Sequence, residues 1–360
     1  MTSKNPSSDK PAKKPFEVAL YSPPAKAAAQ GRPVTLPQVE APSLEGLSVT
    51  VAAPEAITGE NLRERFVELA RSFATEQPRS PDEQILMGDE VLLDLVGYDA
   101  QGQIIPFSVQ TDTWVVLEPD ANLPGLYEAI EGQTPGQALV VELTLPESYP
   151  VEALRGTGAR FLVHVQAARQ VTFPDLESPA FLQQFGRGAT LDETMETIAV
   201  ELRDDLAEVL ANKARQQVLV EVARRTPVDI PAELVDEEIR RHWGSTEGKA
   251  LLELEASDKD QEGSLQGWLT SEDTRNEVET RLRISLALGA IFKRDGLVVE
   301  KHQVAMLIHE AAEAAGESII EAAEALESRP EDMARIDQVA AHLTAVEHVM
   351  SKAQVHFEGA

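Results

Sequence analysis

Seven histidines, at positions 164, 242, 302, 309, 342, 348 and 356, and sixty-one acidic side chains are the groups in this chain that could hold a metal or move a proton. His302 and His309 stand seven apart and so share a helix face, but no two histidines have the paired spacing of a zinc-protease helix. They read as ordinary surface or boundary histidines. Cysteine is absent, which removes disulfides, thiol catalysis and zinc–thiolate sites. Gly186-Arg187-Gly188 lacks both the preceding strand and the spacing of a dinucleotide loop, and no Gly-x-Ser-x-Gly elbow occurs. The carboxylates are spread over helical segments, as on a solvated face. The sequence therefore predicts no cofactor, no bound metal and no nucleotide or nucleophile chemistry.

The chain has 360 residues and a net charge of −29. A body that acidic repels phosphate backbones, so specific nucleic-acid binding is not expected of it. The positive charge gathers near the start: Lys4, Lys10, Lys13, Lys14, Lys26 and Arg32 stand against only Asp9 and Glu17. Residues 1–32, rich in Pro, Ala, Ser and Lys, read as a disordered basic tail. A weak electrostatic contact with RNA or an acidic surface is the alternative for that tail. No apolar run follows the early lysines, so neither a secretory signal nor a membrane span is expected, and the cytoplasm is the expected location.

Three kinds of periodicity divide the rest. Residues 46–53 alternate like a short strand, and Thr58 is placed to cap a helix carrying Leu62, Phe66, Leu69 and Phe73 on one stripe. Gln77-Pro78-Arg79-Ser80-Pro81 breaks it. Period-two alternation then runs through Val91, Leu93 and Leu95, through Leu139, Val141, Leu143 and Leu145, and through Phe161, Val163 and Val165, as in half-buried antiparallel strands. Pro124-Gly125 should open one short helix, Leu126 to Glu131, closed by Gly132. From Phe173 the pattern is helical: Leu191, Met195, Ile198, Leu202, Leu206 and Leu210 trace one long stripe. Pro231 marks a helix start, Leu282, Leu286 and Ala290 a later helix, and Ile336, Val339, Leu343, Val346 and Met350 the last. Residues 244–270, with their glycines and charge run, read as a break holding a flexible insertion near 255–265. The expected class is α+β: a sheet domain with one short helix, then an all-α domain.

Gly88-Asp89-Glu90-Val91-Leu92-Leu93-Asp94-Leu95-Val96-Gly97-Tyr98 resembles the opening strand of the FKBP-type prolyl isomerase domain of bacterial trigger factors. The resemblance continues through Leu123-Pro124-Gly125-Leu126-Tyr127-Glu128-Ala129-Ile130-Glu131-Gly132, Leu145-Pro146-Glu147-Ser148-Tyr149-Pro150 and Leu154-Arg155-Gly156. In the helical half it is carried by Phe173-Pro174-Asp175-Leu176, Phe181, Phe185-Gly186, the segment Val228 to Ile239 and the ending Ala345 to Ala353. Each motif alone is weak, and their collinear order over residues 33–356 carries the match. It implies a division into a basic tail (1–32), a linker with a strand and a helix (33–86), an FKBP-like isomerase domain (87–172) and a helical chaperone domain with arms (173–360). Nothing in residues 1–45 resembles the family's basic ribosome-docking module. That puts the usual ribosome contact in question and leaves the tail as a weak substitute.

The resemblance further implies an ATP-independent chaperone that takes unfolded or nascent polypeptides in a helical cradle. It also implies a peptidyl-prolyl cis–trans isomerase pocket built from Leu95, Phe107, Trp114, Leu123, Leu126, Tyr149 and Phe161. Tyr149 would offer its hydroxyl to a substrate carbonyl and Leu126 would floor the pocket. Aromatic residues are usual in the family at the positions of Leu95 and Leu126, and an acid is usual at Ser108, so any isomerase should be weak. The same side chains would serve equally as the core of the sheet domain. Met195, Leu202, Leu206, Trp243 and Trp268 are the candidates for apolar client contact, or else for the helical core. A prolyl isomerase in its own right and a dedicated assembly partner of one client are the competing readings.

Overall fold

The computed structural model describes residues 36–358, apart from 55, 120–122, 150, 317 and 328–329. The basic tail at 1–32 lies outside the described residues. Strand β1 (Ser48–Val51) precedes helix α1 (Gly59–Ala70). Thr58 caps α1 as its sequence predicts: its hydroxyl accepts from the Asn61 N–H while the Asn61 side chain returns to the Thr58 N–H. A single 3-10 turn, Arg71–Phe73, leads into β2 (Thr75–Pro78), a sheet-edge strand that can end in proline because the outer N–H has no partner to lose. The remaining strands of that sheet are β3 (Glu90–Asp99), β4 (Gln110–Val116), β5 (Ala138–Thr144) and β6 (Gly158–Thr172). Helices follow: α2 (Pro179–Phe185), α3 (Leu191–Arg224), α4 (Ala232–Ser245), α5 (Glu247–Glu253), α6 (Asp258–Thr270), α7 (Glu272–Arg294), α8 (Lys301–Ala315), α9 (Ile319–Glu327) and α10 (Pro330–Lys352), and then β7 (Gln354–Phe357). The class is α+β, as the periodicities require.

The chain forms two compact units. One takes in residues up to Ala53 with Ala211–Glu237 and Asn276–Ala360; the other is Pro54–Leu210 with Glu238–Arg275. In the first, Leu47, Val218, Leu219, Val222, Leu288, Ile291, Val346 and Val349 make a buried aliphatic core. Beside that core β1 pairs with β7 in parallel, Ser48 opposite Gln354 and Val51 opposite Phe357.

The second unit holds the antiparallel sheet, ordered β2-β6-β3-β4, with β5 also paired to β6. The long β6 explains the arrangement: its first half pairs with β5, its last residues with β2, and β3 runs beside nearly all of it. Inward residues alternate through Ala159, Phe161, Val163 and Val165, and then the phase slips to Ala168. A bulge causes the slip: Leu92 faces Ala167 while Leu93 faces Val165, so Gln166 is the extra residue. Its amide is used, donating to Asp94 at 2.7 Å and Asp112 at 2.8 Å. A second cluster in this unit gathers Phe66, Phe73, Phe181 and Phe185, with ring centroids 5.3–5.6 Å apart for the 66–185, 73–181 and 181–185 pairs.

Two expectations are corrected. Leu126 to Glu131 is not a regular helix but a run of turns, with Leu126 bonded to Leu123, Ala129 to Gly125 and Ile130 to Tyr127. Gly132 ends it by donating to Ile85 rather than by capping a helix. The supposed flexible insertion near 255–265 lies within ordered structure. Ser257 caps α6 by accepting from Asp260 N–H, and buried Ser264 and Trp268 hold the helix down.

Candidate functional site

On the inner face of the sheet, register decides which predicted pocket residues can meet. Leu95 faces Val163 and Gly97 faces Phe161, so the side chains at 95, 161 and 163 share one face. The turns at 123–130 lie over that face. Leu126, fully buried, and Ile130 enter the same core, with Leu123 packed against it. Tyr149 closes it from the 145–149 loop, held by Pro146 O accepting its N–H and by Arg155 Nε donating to its carbonyl at 2.7 Å. Leu95, Leu123, Leu126, Tyr149 and Phe161 are thus brought together. The Tyr149 hydroxyl has no hydrogen bond among the described residues, and burial pushes its ionisation above the usual phenol range, so it stays a neutral donor. Ser108, where the resembling family has an acid, is buried; its hydroxyl accepts from Gly97 N–H at 3.1 Å and donates to Ile105 O at 2.7 Å. A Cβ at Gly97 would lie 2.7 Å from the Phe161 ring, so only glycine lets that ring pack there.

Trp114 is elsewhere. It pairs with Leu92, whereas Val115 pairs with the inward Val91, so Trp114 projects from the outer face of the sheet. There Arg169 stacks on the indole at 3.9 Å and also bonds Glu90 and Glu76, and Arg71 bonds the same two acids. Sequence spacing alone could not say which face Trp114 takes.

Phe107 is also displaced. Its backbone has φ 65°, a conformation that costs a residue with a Cβ about 1 kcal/mol or more. The ring leaves the sheet core and lies against Trp268 of α6, with centroids 4.5 Å apart. Trp268 is only 3% exposed and so cannot meet a client as the unit stands. Trp243 is half-buried with Val96, Ile104 and Leu251 and donates to Ser264 Oγ at 2.8 Å. Met195 packs on the phenylalanine cluster. Leu202 and Leu206 line a groove of about 390 Å³ beside Ile57 and Asn61, where Arg65 of α1 pairs with Asp205 of α3 at 3.0 Å. Of the five client candidates, Leu202 and Leu206 line this groove.

Sequence reasoning passed over other apolar groups. The packed helices α8 and α9 expose Met306 at 56% and Ile320 at 71%, together with Ile319. The usable signal was Ile319-Ile320 directly after a Gly-Glu-Ser stop, where a helix begins without a charged first residue. Glu247, a buried acid in the segment read as a break, was missed as well. Among the described residues no group of three or more His, Asp or Glu is placed to hold a metal, and no helix is long and apolar enough to cross a membrane.

Residues 190–351 match the family model described as the bacterial trigger factor protein C-terminus. A trigger factor from Psychromonas ingrahamii is 26% identical over 320 residues, which is 89% of this chain and 71% of that protein. A solved chain, reported under promiscuous substrate recognition in folding and assembly activities of the trigger factor chaperone, aligns over 88% of this chain and 73% of its own. The identity there is 14% and the TM-score 0.35. The antiparallel sheet and the helices that follow it in the chain make the class α+β. Over residues 190–351 the chain is thus similar to the C-terminal part of the bacterial trigger factor family.

Proposed function

We propose that the chain is an ATP-independent chaperone that holds unfolded or nascent polypeptides on apolar helix faces, and that its sheet domain is a weak prolyl isomerase. The observation that carries the first half is the exposure of Met306, Ile319 and Ile320 on neighbouring helices. Exposed aliphatic side chains are a standing invitation to another apolar surface, and binding through them is non-directional and needs no nucleotide. The net charge of −29 keeps a loaded complex soluble and favours neutral or basic clients. Work on polypeptides in the cytoplasm is the setting this reading assumes, with the division at residues 87–172 and 173–360 as its functional boundary.

The isomerase reading is favoured by the meeting of Leu95, Leu126, Tyr149 and Phe161 with an unbonded Tyr149 hydroxyl. An apolar lining favours the twisted amide, whose lost resonance is the barrier to rotation about a prolyl bond. Burial of Leu126 and Phe161, and the displacement of Phe107 and Trp114, leave little lining for a substrate, so the rate should be low. The deciding experiment is light scattering of a heat-aggregating protein with and without an equimolar amount of the chain. Suppression without ATP is expected; unchanged aggregation for several unrelated clients would leave the assembly-partner reading in its place.

A further inference from the structure

The α5–α6 element of the second unit already holds a short peptide segment, and that segment belongs to the chain itself. Glu247, 5% exposed, is the anchor. Its Oε2 accepts from the Phe107 N–H at 2.7 Å and from Trp268 Nε1 at 3.2 Å, while Oε1 accepts from Ser264 Oγ. Three donors converge on one carboxylate, and one of them is the backbone of a loop 140 residues away in sequence. The Phe107 ring rests on Trp268. The ring of Pro106 lies where a Cβ on Gly267 would be 3.2 Å from its Cγ, so glycine at 267 makes room for proline. An aromatic shelf, a slot for a proline ring and a carboxylate for the following N–H make a recognition site for a proline–aromatic step.

We propose that α5–α6 is a binding site for extended segments with an aromatic residue after proline, and that Pro106-Phe107 is its resident occupant, a latch that client segments of the same kind displace. The contact is built to be opened. Phe107 remains 56% exposed and sits at positive φ, and the apolar support is a small cluster around Val96, Ile104 and Leu251. Polar support outside Glu247 includes an exposed hydrogen bond, Thr111 to Glu253 at 3.2 Å. Elements with few buried contacts open at low free energy. Tethering gives the latch an effective concentration on the order of millimolar, so a free peptide competes poorly until the resident is removed. The proposal extends the client-holding reading, but its test contains no client, so either can fail alone.

The probe is a fluorescein-labelled peptide of residues 102–111, read by polarisation against the full chain. Phe107→Ala should bind it at least about tenfold more tightly than the unaltered chain, a change of about 1.4 kcal/mol. Adding Glu247→Gln should abolish the gain, and a peptide with alanine in place of the phenylalanine should not bind. In the unaltered chain, hydrogen exchange at the Phe107 amide should be protected, and addition of unlabelled peptide should speed it. Equal binding by the unaltered chain and Phe107→Ala overturns the proposal. So does exchange of the Phe107 amide at open-loop rates, a measurement that needs no variant to fold.

Discussion

Arg79 and Asp89 are joined by two parallel hydrogen bonds, Nε to Oδ2 and Nη2 to Oδ1, each 2.9 Å long. Both side chains are almost out of water. The pair ties the end of β2 to the start of β3. Asp89 Oδ2 also accepts from Leu86 N–H, and the Arg79 N–H reaches Ala168 O in β6. Removing one partner strands the other charge in the interior. Asp89→Ala should therefore cost about 3–5 kcal/mol, read from the urea midpoint at unchanged slope. The Arg79→Met/Asp89→Leu double variant should lose clearly less than either single one. A loss near zero for Asp89→Ala would mean that the pair is solvated in solution.

The first unit should weaken in acid. Hydrogen bonds from Arg224, then Arg225, hold Glu221 down to about 2, against an ordinary 4.5. The bond from Arg294, with smaller help from His348, holds Asp295 to about 2, against 3.8. Both values are depressed on folding, so their contribution is complete above the ordinary values and disappears as the pH falls toward 2. Arg225 also binds the carbonyls of Glu45 and Gly46, and Arg294 that of Pro42. Protonation should thus loosen residues 41–47 before the sheet. Exchange of the Gln354 N–H, which donates to Leu47 O, should accelerate as pH falls from about 4.5 to about 2. Glu221→Gln should flatten part of that dependence.

Core and site can be separated at the sheet's inner face. Leu126→Ala should destabilise the sheet domain by about 2–5 kcal/mol, because the residue is fully buried. Tyr149→Phe removes only an unbonded hydroxyl and should leave the melting temperature alone. In a protease-coupled assay with an alanyl-prolyl peptide, any activity should drop several-fold in Tyr149→Phe. An unchanged rate would remove Tyr149 from the reaction.

Exposed groups can be changed without touching the fold. Met306→Ser/Ile320→Ser should shift stability by no more than about 0.5 kcal/mol, since both side chains are mainly in water. Protection of an aggregating client should fall by half or more. Full protection by this variant would locate client binding elsewhere.

The period-two runs at 91–95, 139–145 and 159–165 made the sheet legible, and the Thr58 cap fixed the first helix. What the sequence hid was non-local. The bulge at Leu92/Leu93 changes the phase of β6, and no alternation rule places Trp114 on one face rather than the other. Helix α6 hid behind Gly263 and Gly267, two weak helix formers. It is stabilised instead by Trp268 and by Glu247, a residue that looks like surface until its donors are known. Phe107 was read as a pocket wall because its left-handed backbone cannot be guessed from the residue type.

The parallel pairing of β1 with β7 joins Ser48 to Gln354, about 300 residues later in the chain. During synthesis at about 5–20 residues per second, the first strand must wait about 15–60 s for its mate to be made. Leu47 and Val49, which are destined for the aliphatic core, stay without their final neighbours for that time. Until β7 is made, a chain built this way carries an open apolar face of its own through synthesis.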